Sequence, residues 1–333
     1  MPADLHKMPV EEIRRLLLAD GAPVSGQTLA KLQKDPRRAI RELYRTLQAQ
    51  RRVQQRERLR VRSMLYLEDV LWRSGIERIA GVDEVGIGPL AGPVVAAAVI
   101  FPPGIFIESI DDSKKLDPRR RETLRERILE KGTAYAVSVL EVEEVDLLNV
   151  YQAGLEAMRR AVTALSPQPQ HVLVDAREIP GVHVPQNRFD KGDGINFSIA
   201  AASILAKTHR DALMDQYHKQ FPQYGFDRHK GYSTGTHQRA LRDYGPCPIH
   251  RRSFQFVQEA CGKFSPIFYQ LRAELSGARS CQTLAEIEER LKPLQQELTE
   301  YEWRKLRLCS QRAWGRMSPA AARGVGNRSA DHP

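Results

Sequence analysis

The chain has few cysteines and no long apolar segment. Its four cysteines include no C-x-x-C pair and no spacing typical of a zinc site, which indicates reduced thiols. The longest apolar run, Val94–Phe101, is far shorter than the roughly 20 residues that a membrane-spanning helix needs. The first residues have no apolar stretch behind a basic start, so no secretion signal is expected. We therefore expect a cytoplasmic protein that contacts no membrane.

Positive charge is concentrated at the two ends of the chain. The net charge is +10, of which residues 1–75 carry +7 and residues 263–333 carry +4, whereas residues 76–262 carry −1. Basic ends around a near-neutral centre favour a polyanionic partner that the ends hold. Charge alone leaves the alternative of solvated, arginine-rich helices equally open.

Hydrophobic periodicity divides the chain into segments. Helical spacing runs through residues 9–75, although the polar stretch Gln48–Arg58 indicates a helix that is either broken or exposed there. From Ile79 onward, short apolar strands alternate with helices, which is typical of an α/β fold. Helical spacing returns at Leu284–Leu306. The predicted segments are a basic helical N-terminal module (1–75), a central α/β domain (76–262), a helical C-terminal extension (263–317) and a disordered tail (318–333), in a protein that we expect to be a monomer.

Four acidic residues lie close to the ends of predicted strands. Asp83 and Glu84 follow the apolar run Ile79–Val82. Asp175 ends a second apolar strand, and Asp193 comes just before a helix. Adjacent strand residues point to opposite faces, so Asp83 and Glu84 can share a site only if the strand ends there. Clustered carboxylates without His or Cys favour Mg²⁺ or Mn²⁺, but spacing leaves open that each acid only forms a turn or a cap.

Three further segments have compositions that suit a nucleic-acid ligand. The turn Gly86–Gly92 matches no P-loop or dinucleotide fingerprint, but its glycines allow a bulky ligand to approach the backbone. Tyr224–Tyr232 mixes aromatic and cationic residues, as in proteins that stack on bases, although a polar surface loop fits equally well. His250–Ser253 forms a second cationic cluster.

Together these motifs resemble those of bacterial ribonuclease HII. The matching segments, in chain order, are Gly81–Pro93, Asp112–Leu116, Val174–Asp175, Lys191–Asp193, Ser198–Lys207, His229–Tyr232 and Tyr244–Phe254. The basic leader also resembles the N-terminal extension of some bacterial members. The resemblance implies the ribonuclease H fold, a mixed sheet flanked by helices, which agrees with the α/β pattern.

The same resemblance implies an activity and a set of site residues. The activity is endonucleolytic hydrolysis of RNA in RNA–DNA hybrids and cleavage 5′ of ribonucleotides embedded in duplex DNA, during replication and repair. The products implied are a 3′-hydroxyl and a 5′-phosphate. Two Mg²⁺ or Mn²⁺ ions would be held by Asp83, Glu84, Asp175 and Asp193. Tyr232 matches the tyrosine that stacks at the RNA–DNA junction. The other expected substrate contacts are Gly86, Ile87, Gly88, Ser113, Lys114, Lys230 and Arg252.

One residue departs from the family pattern, and rival functions stay open. Ile87 stands where the pattern has arginine, so Gly86 and Gly88 keep their backbone contacts to the ribose 2′-hydroxyl but the cation is missing. A non-catalytic hybrid-binding protein is the main alternative, although all four acids are present. A resolvase or integrase would share strand-end acids but not the Tyr232 segment, and a structural RNA-binding protein leaves the centre unexplained. A sliding-clamp partner is unsupported, because no clamp-binding peptide is recognised.

Overall fold

The structure is a computed structural model that describes residues 8–19, 24–261 and 264–317. The tail from residue 318, which the sequence predicts to be disordered, lies outside the described residues. None of the helices in the described ranges combines the length and the apolar character needed to cross a bilayer. The chain divides into two compact units, the first comprising residues 1–87, 94–140 and 151–212 and the second residues 88–93, 141–150 and 213–333.

Helices make up most of the described chain. In chain order they are α1 (Val10–Arg14), α2 (Gly26–Gln33), α3 (Arg38–Met64), α4 (Tyr66–Arg73), α5 (Pro118–Lys131), α6 (Val142–Leu148), α7 (Val150–Thr163), α8 (Phe197–Gln220), α9 (Phe226–His229), α10 (Gly235–Tyr244), α11 (Gln255–Ala260), α12 (Pro266–Gly277), α13 (Cys281–Leu291) and α14 (Glu300–Met317). Short 3-10 turns lie at Gly192–Gly194, Pro222–Tyr224 and Lys292–Gln296.

A five-stranded mixed sheet forms the centre of the first unit. Its strands are β1 (Ile79–Val85), β2 (Val94–Ile100), β3 (Ala134–Leu140), β4 (His171–Asp175) and β5 (Gln186–Phe189). They lie in the order β3-β2-β1-β4-β5, with β1 antiparallel to β2 and parallel to β4. Every residue of β2 is buried, as expected for an apolar strand inside a sheet. The mixed sheet with its flanking helices confirms the predicted fold class.

The N-terminal helices have a small core of their own within the first unit. Its buried members are Ile13, Leu17, Leu29, Leu32, Ile40, Leu43 and Leu47. The polar stretch Gln48–Arg58 belongs to one continuous helix, α3, so it is exposed rather than broken. The end of α3 is fixed by Arg60, which donates to the carbonyl of Ile110 at 2.6 Å, and by Glu57, which accepts from the N–H of Ser109 at 2.7 Å.

Helix α4 is anchored to the beginning of α8 through a buried carboxylate. Glu68 is fully buried and accepts hydrogen bonds from the hydroxyl of Ser198 at 2.8 Å and from the amide of Asn196 at 3.0 Å. Burial raises the pKa of Glu68 above its ordinary value. Because these bonds hold the first turn of α8, a truncation at residue 75 would remove a group that positions the segment after Asp193. The segment boundary at residue 75 stays a prediction.

The C-terminal helices of the second unit also have a core of their own. Its buried members are Phe264, Phe268, Leu271, Leu275, Leu284, Ile287, Leu291, Leu298, Leu306 and Ala313. The helical spacing over Leu284–Leu306 does not form one helix, because the 3-10 turn Lys292–Gln296 separates α13 from α14. Pro293 lies in this turn and has no backbone N–H to continue an α-helix.

Candidate active site

Two parallel strands bring Asp83 and Asp175 to the same end of the sheet. Val82 of β1 pairs with Val174 of β4, so the next residue on each strand is an aspartate. Asp193 lies in the 3-10 turn that follows β5, and the preceding N–H, of Gly192, donates to Oδ1 of Asp175 at 2.6 Å. Asp83 and Asp193 are each only 5% exposed. Three of the four predicted acids are therefore neighbours at one end of the sheet.

Glu84 is directed differently from Asp83. Strand β1 continues for one residue beyond these two acids and ends at Val85. Oδ1 of Asp83 accepts from the N–H of Glu84 at 2.8 Å, and its side chain lies near the hydroxyl of Ser203 of α8. The side chain of Glu84, by contrast, lies beside Gly154 of α7. A methyl group added to that glycine would be 3.7 Å from Cγ of Glu84. The two side chains thus follow the alternation of an extended strand.

The four acids nevertheless interact electrostatically. Burial, followed by the charge of Glu84, raises the pKa of Asp83 well above its ordinary value, and Asp175 and Asp193 add to this effect. Burial and the charge of Asp175 raise the pKa of Glu84. Burial also raises the pKa of Asp175, with a contribution from Asp193. Grouped, partly buried carboxylates are costly unless a cation offsets their charge.

The donor chemistry of this cluster fits a hard divalent cation. Its ligands are carboxylate oxygens, the type that Mg²⁺ and Mn²⁺ prefer. However, no three His, Cys, Asp or Glu side chains within residues 8–19, 24–261 and 264–317 lie close enough together to enclose an ion. The ammonium group of Lys114 lies 3.2 Å from Oδ2 of Asp193. Binding of an ion therefore requires that these carboxylates turn toward one another.

Ser113 lies behind Asp83 rather than on the surface. The resemblance implies a substrate contact for Ser113, but this residue is 3% exposed and its hydroxyl lies 2.9 Å from that of Ser203. Ser203 in turn lies near the side chain of Asp83 and lowers its pKa. Arg121, which the sequence does not single out, donates to the carbonyls of Ser113 at 3.0 Å and Leu116 at 2.6 Å. The segment thus supports Asp83 from behind.

The glycine-rich turn continues from the first unit into the second. Gly86 has a φ of +100°, which favours glycine. Ile87 is half-buried and lies beside Gly154. A methyl group added to that glycine would be only 2.9 Å from Cδ1 of Ile87. Its side chain thus packs on α7. In the second unit, Gly88 lies beside the ring of Tyr232, and a methyl group added to Gly88 would be 3.7 Å from Cε1 of that ring. Tyr232 is 42% exposed.

Only part of the predicted cationic cluster His250–Ser253 lies at the surface. Arg251 is fully buried, and its guanidinium donates to the carbonyls of Pro89 at 2.9 Å and Gly92 at 2.7 Å. It therefore holds the glycine-rich turn in shape. Only the side chain of Arg252 within this pair of arginines faces solvent. Sequence reasoning missed this structural role of Arg251, because the residues around it do not distinguish a buried arginine from a surface arginine.

Lys230 is also engaged within the second unit. It adopts a left-handed backbone conformation with a φ of +50°, and its ammonium group forms an ion pair with Asp215. A contact between Lys230 and a substrate phosphate therefore competes with this carboxylate.

Two buried histidines hold the backbone of Tyr232. Nδ1 of His237 lies 2.9 Å from the carbonyl of Tyr232, and its Nε2 lies 3.0 Å from Nε2 of His250. Nδ1 of His250 accepts from the N–H of Cys247 at 3.0 Å. Because a carbonyl only accepts, Nδ1 of His237 carries a proton, and its Nε2 accepts from His250. Burial lowers the pKa of His237 to about 4 and that of His250 to about 3.

We expect neither of these two histidines to titrate between pH 8 and pH 5. Their lowered pKa values mean that both rings stay neutral in the folded protein, whereas in the unfolded chain they gain protons below about pH 6.5. The stability they contribute is therefore present above pH 6.5 and is lost as the pH falls toward 4. Proton NMR of the ring C–H signals measures this, and a midpoint near 6.5 for His237 or His250 would contradict the assigned hydrogen-bond chain.

The chain is similar to ribonucleases HII over most of its length. The family model described as Ribonuclease HII matches residues 80–257. A Ribonuclease HII of Anaeromyxobacter sp. (strain Fw109-5) is 49% identical over 261 residues, covering 78% of this chain and 83% of the relative. One of Myxococcus xanthus (strain DK1622) is 48% identical, covering 78% and 88%. The crystal structure of the ribonuclease H2 from Pyrococcus horikoshii OT3 matches at 24% identity and a TM-score of 0.47, covering 56% of this chain and 98% of that one.

Proposed function

This chain belongs to the ribonuclease HII family and is a ribonuclease H, and on that premise we propose that it cuts duplex DNA 5′ of embedded ribonucleotides as well as the RNA strand of hybrids. The products are a 3′-hydroxyl and a 5′-phosphate. The observation that carries the proposal is the group of partly buried, mutually repelling acids at the end of β1 and β4. A protein that only bound nucleic acid would gain nothing from negative charge beside a phosphodiester.

Asp83, Glu84, Asp175 and Asp193 are the residues that would hold two Mg²⁺ or Mn²⁺ ions. When bound, such ions activate the attacking water and stabilise the leaving 3′ oxygen. The hydroxyl of Ser203 lies near Asp83 and favours its charged form, and Ser113 shares a hydrogen bond with Ser203. Since Asp83 is buried, bulk water has little access to its side chain, which strengthens its interaction with a cation.

The other residues that match the family's substrate contacts would bind and orient the substrate, each from within its own unit. Lys114, whose side chain is 77% exposed and lies 3.2 Å from Asp193, would hold a phosphate oxygen. The exposed ring of Tyr232 offers a stacking surface at the junction, held by the bond between its carbonyl and His237. The backbone of Gly86 and Gly88 contacts the ribose 2′-hydroxyl, which distinguishes RNA from DNA. The guanidinium of Arg252 and the ammonium of Lys230 contact flanking phosphates.

Ile87 makes recognition of the junction depend on the backbone. Its apolar side chain packs against Gly154 and carries no charge for a phosphate. The protein would remove ribonucleotides from DNA during replication and repair, which fits the cytoplasmic location that the sequence predicts.

A cleavage assay with and without divalent metal tests the proposed function. The substrates are a duplex with one ribonucleotide, a continuous RNA–DNA hybrid and an all-DNA duplex. We expect Mg²⁺ or Mn²⁺ to support cleavage of the first two and a chelator to abolish it, while the all-DNA duplex stays intact. Tight binding of the hybrid without cleavage under either metal would favour the non-catalytic alternative.

A further inference from the structure

Helix α3 carries an unusual concentration of one cationic residue type. Its 27 residues include nine arginines, no lysine and only two glutamates. Both glutamates are already paired, Glu42 with Arg38 and Glu57 with Arg60. Solvation alone would be served equally well by lysine, whereas arginine is favoured where phosphate groups are bound by two parallel hydrogen bonds.

Four of these arginines lie on one face of the helix. With 3.6 residues per turn, Arg41, Arg45, Arg52 and Arg56 fall within an arc of about 60°. At a rise of 1.5 Å per residue they extend over about 22 Å along the helix. All four are exposed, and none forms a hydrogen bond or ion pair with another residue in the described ranges. We call these four residues the α3 arginine stripe.

The α3 arginine stripe faces away from the helix's own core contacts. Ile40, Leu43 and Leu47 lie on the opposite side of α3 and are buried against α1 and α2. Arg60 and Glu57 fix the end of the helix to the backbone at 109–110, shortly before Lys114. The stripe is therefore presented to solvent by a helix that is fixed to the unit bearing the acids.

We propose that the α3 arginine stripe binds the sugar–phosphate backbone of duplex nucleic acid, independently of base sequence. A duplex carries about one negative charge per 1.7 Å of its axis, so a row of cations about 22 Å long meets several phosphates. The near-neutral stretch 76–262 provides little long-range attraction of its own. This proposal rests on the proposed function in one respect only, that the polyanion is a nucleic-acid duplex. Binding of the duplex by the stripe does not require that the protein cleaves it.

The test measures how the affinity for an all-DNA duplex depends on salt. The stripe variant replaces Arg41, Arg45, Arg52 and Arg56 by Gln. The matched control makes the same change to Gln at four exposed arginines of α14: Arg304, Arg307, Arg312 and Arg316. Both variants lose the same net charge, so a difference between them reports position rather than total charge. Melting temperatures are recorded for both, because every replaced residue is exposed and neither fold is expected to change.

Each phosphate contact contributes a slope of about −0.9 in log affinity against log salt. We therefore expect the slope of log affinity against log salt to be smaller in magnitude by about 2 to 4 in the stripe variant than in the wild type. The control should keep most of the wild-type slope. Equal slopes in the two variants, an unchanged slope in the stripe variant, or binding of anionic lipid vesicles in place of DNA would overturn the proposal. Since the probe contains no ribonucleotide, failure of the cleavage assay leaves this test unaffected.

Discussion

Replacing Asp83 by Asn is expected to abolish cleavage while leaving the fold intact. Asp83 is the acid that interacts electrostatically with all three of the others, and it is buried beside Ser203. An amide is a weak ligand for a hard cation, so we expect the rate to fall by about a hundredfold or more. Removing one charge from a repelling cluster should leave the melting temperature equal or higher. Steady-state cleavage and a thermal melt measure the two effects.

Asp190→Asn serves as the matched control for this substitution. Asp190 is an exposed acid close to Asp193 in the chain, and no role in the site is assigned to it. We expect this variant to retain cleavage. Activity of Asp83→Asn above a few per cent of wild type, with Asp190→Asn unaffected, would show that Asp83 does not hold the metal.

Replacing Gly81 by Ala is expected to cause a large loss of stability. Gly81 lies in β1, and a methyl group there would be 2.1 Å from the carbonyl carbon of Ser198 and 2.3 Å from its oxygen. These are backbone atoms of α8 that cannot rotate away, so the strand or the helix has to shift. We expect a loss of about 3 kcal/mol, which lowers the melting temperature by about 6–12 °C in a domain of this size.

The same shift would disturb the site, because Gly81 precedes Asp83 by two residues and Ser198 follows Asp193 by five. Gly235→Ala is the control, since a methyl group at Gly235 meets no atom within 4 Å. Thermal melts of both variants are the measurement. A melting temperature for Gly81→Ala within about 2 °C of wild type would mean that β1 and α8 are less tightly packed than the structure indicates.

Hydrophobic pattern accounts for most of the first unit. The apolar runs at Ile79, Val94 and His171 are strands, and the spacing after Val150 and Ile195 forms α7 and α8. Strand β5 escaped sequence reasoning because Gln-Asn-Arg-Phe has neither alternation nor an apolar run. Its position depends on backbone pairing with β4, a long-range contact that local pattern does not encode.

The candidate site could be predicted only in part for a similar reason. Residue type and the family motifs single out the four acids, but only the fold sends Asp83 toward α8 and Glu84 toward α7. The burial of Ser113 and Arg251 follows from tertiary contacts that their neighbours in sequence do not reveal. In the sequence, a serine or an arginine beside a motif looks the same whether its side chain faces a ligand or supports a loop from the protein interior.

The central claim is metal-dependent hydrolysis 5′ of a ribonucleotide, and mapping the cut in a duplex with one ribonucleotide tests it most directly. Labels at both ends of the strand locate the cut, and enzymatic ligation of the products identifies their termini. The account predicts a single cut on the 5′ side that leaves a 3′-hydroxyl and a 5′-phosphate. A cut on the 3′ side, or a 2′,3′-cyclic phosphate formed without divalent metal, would contradict it.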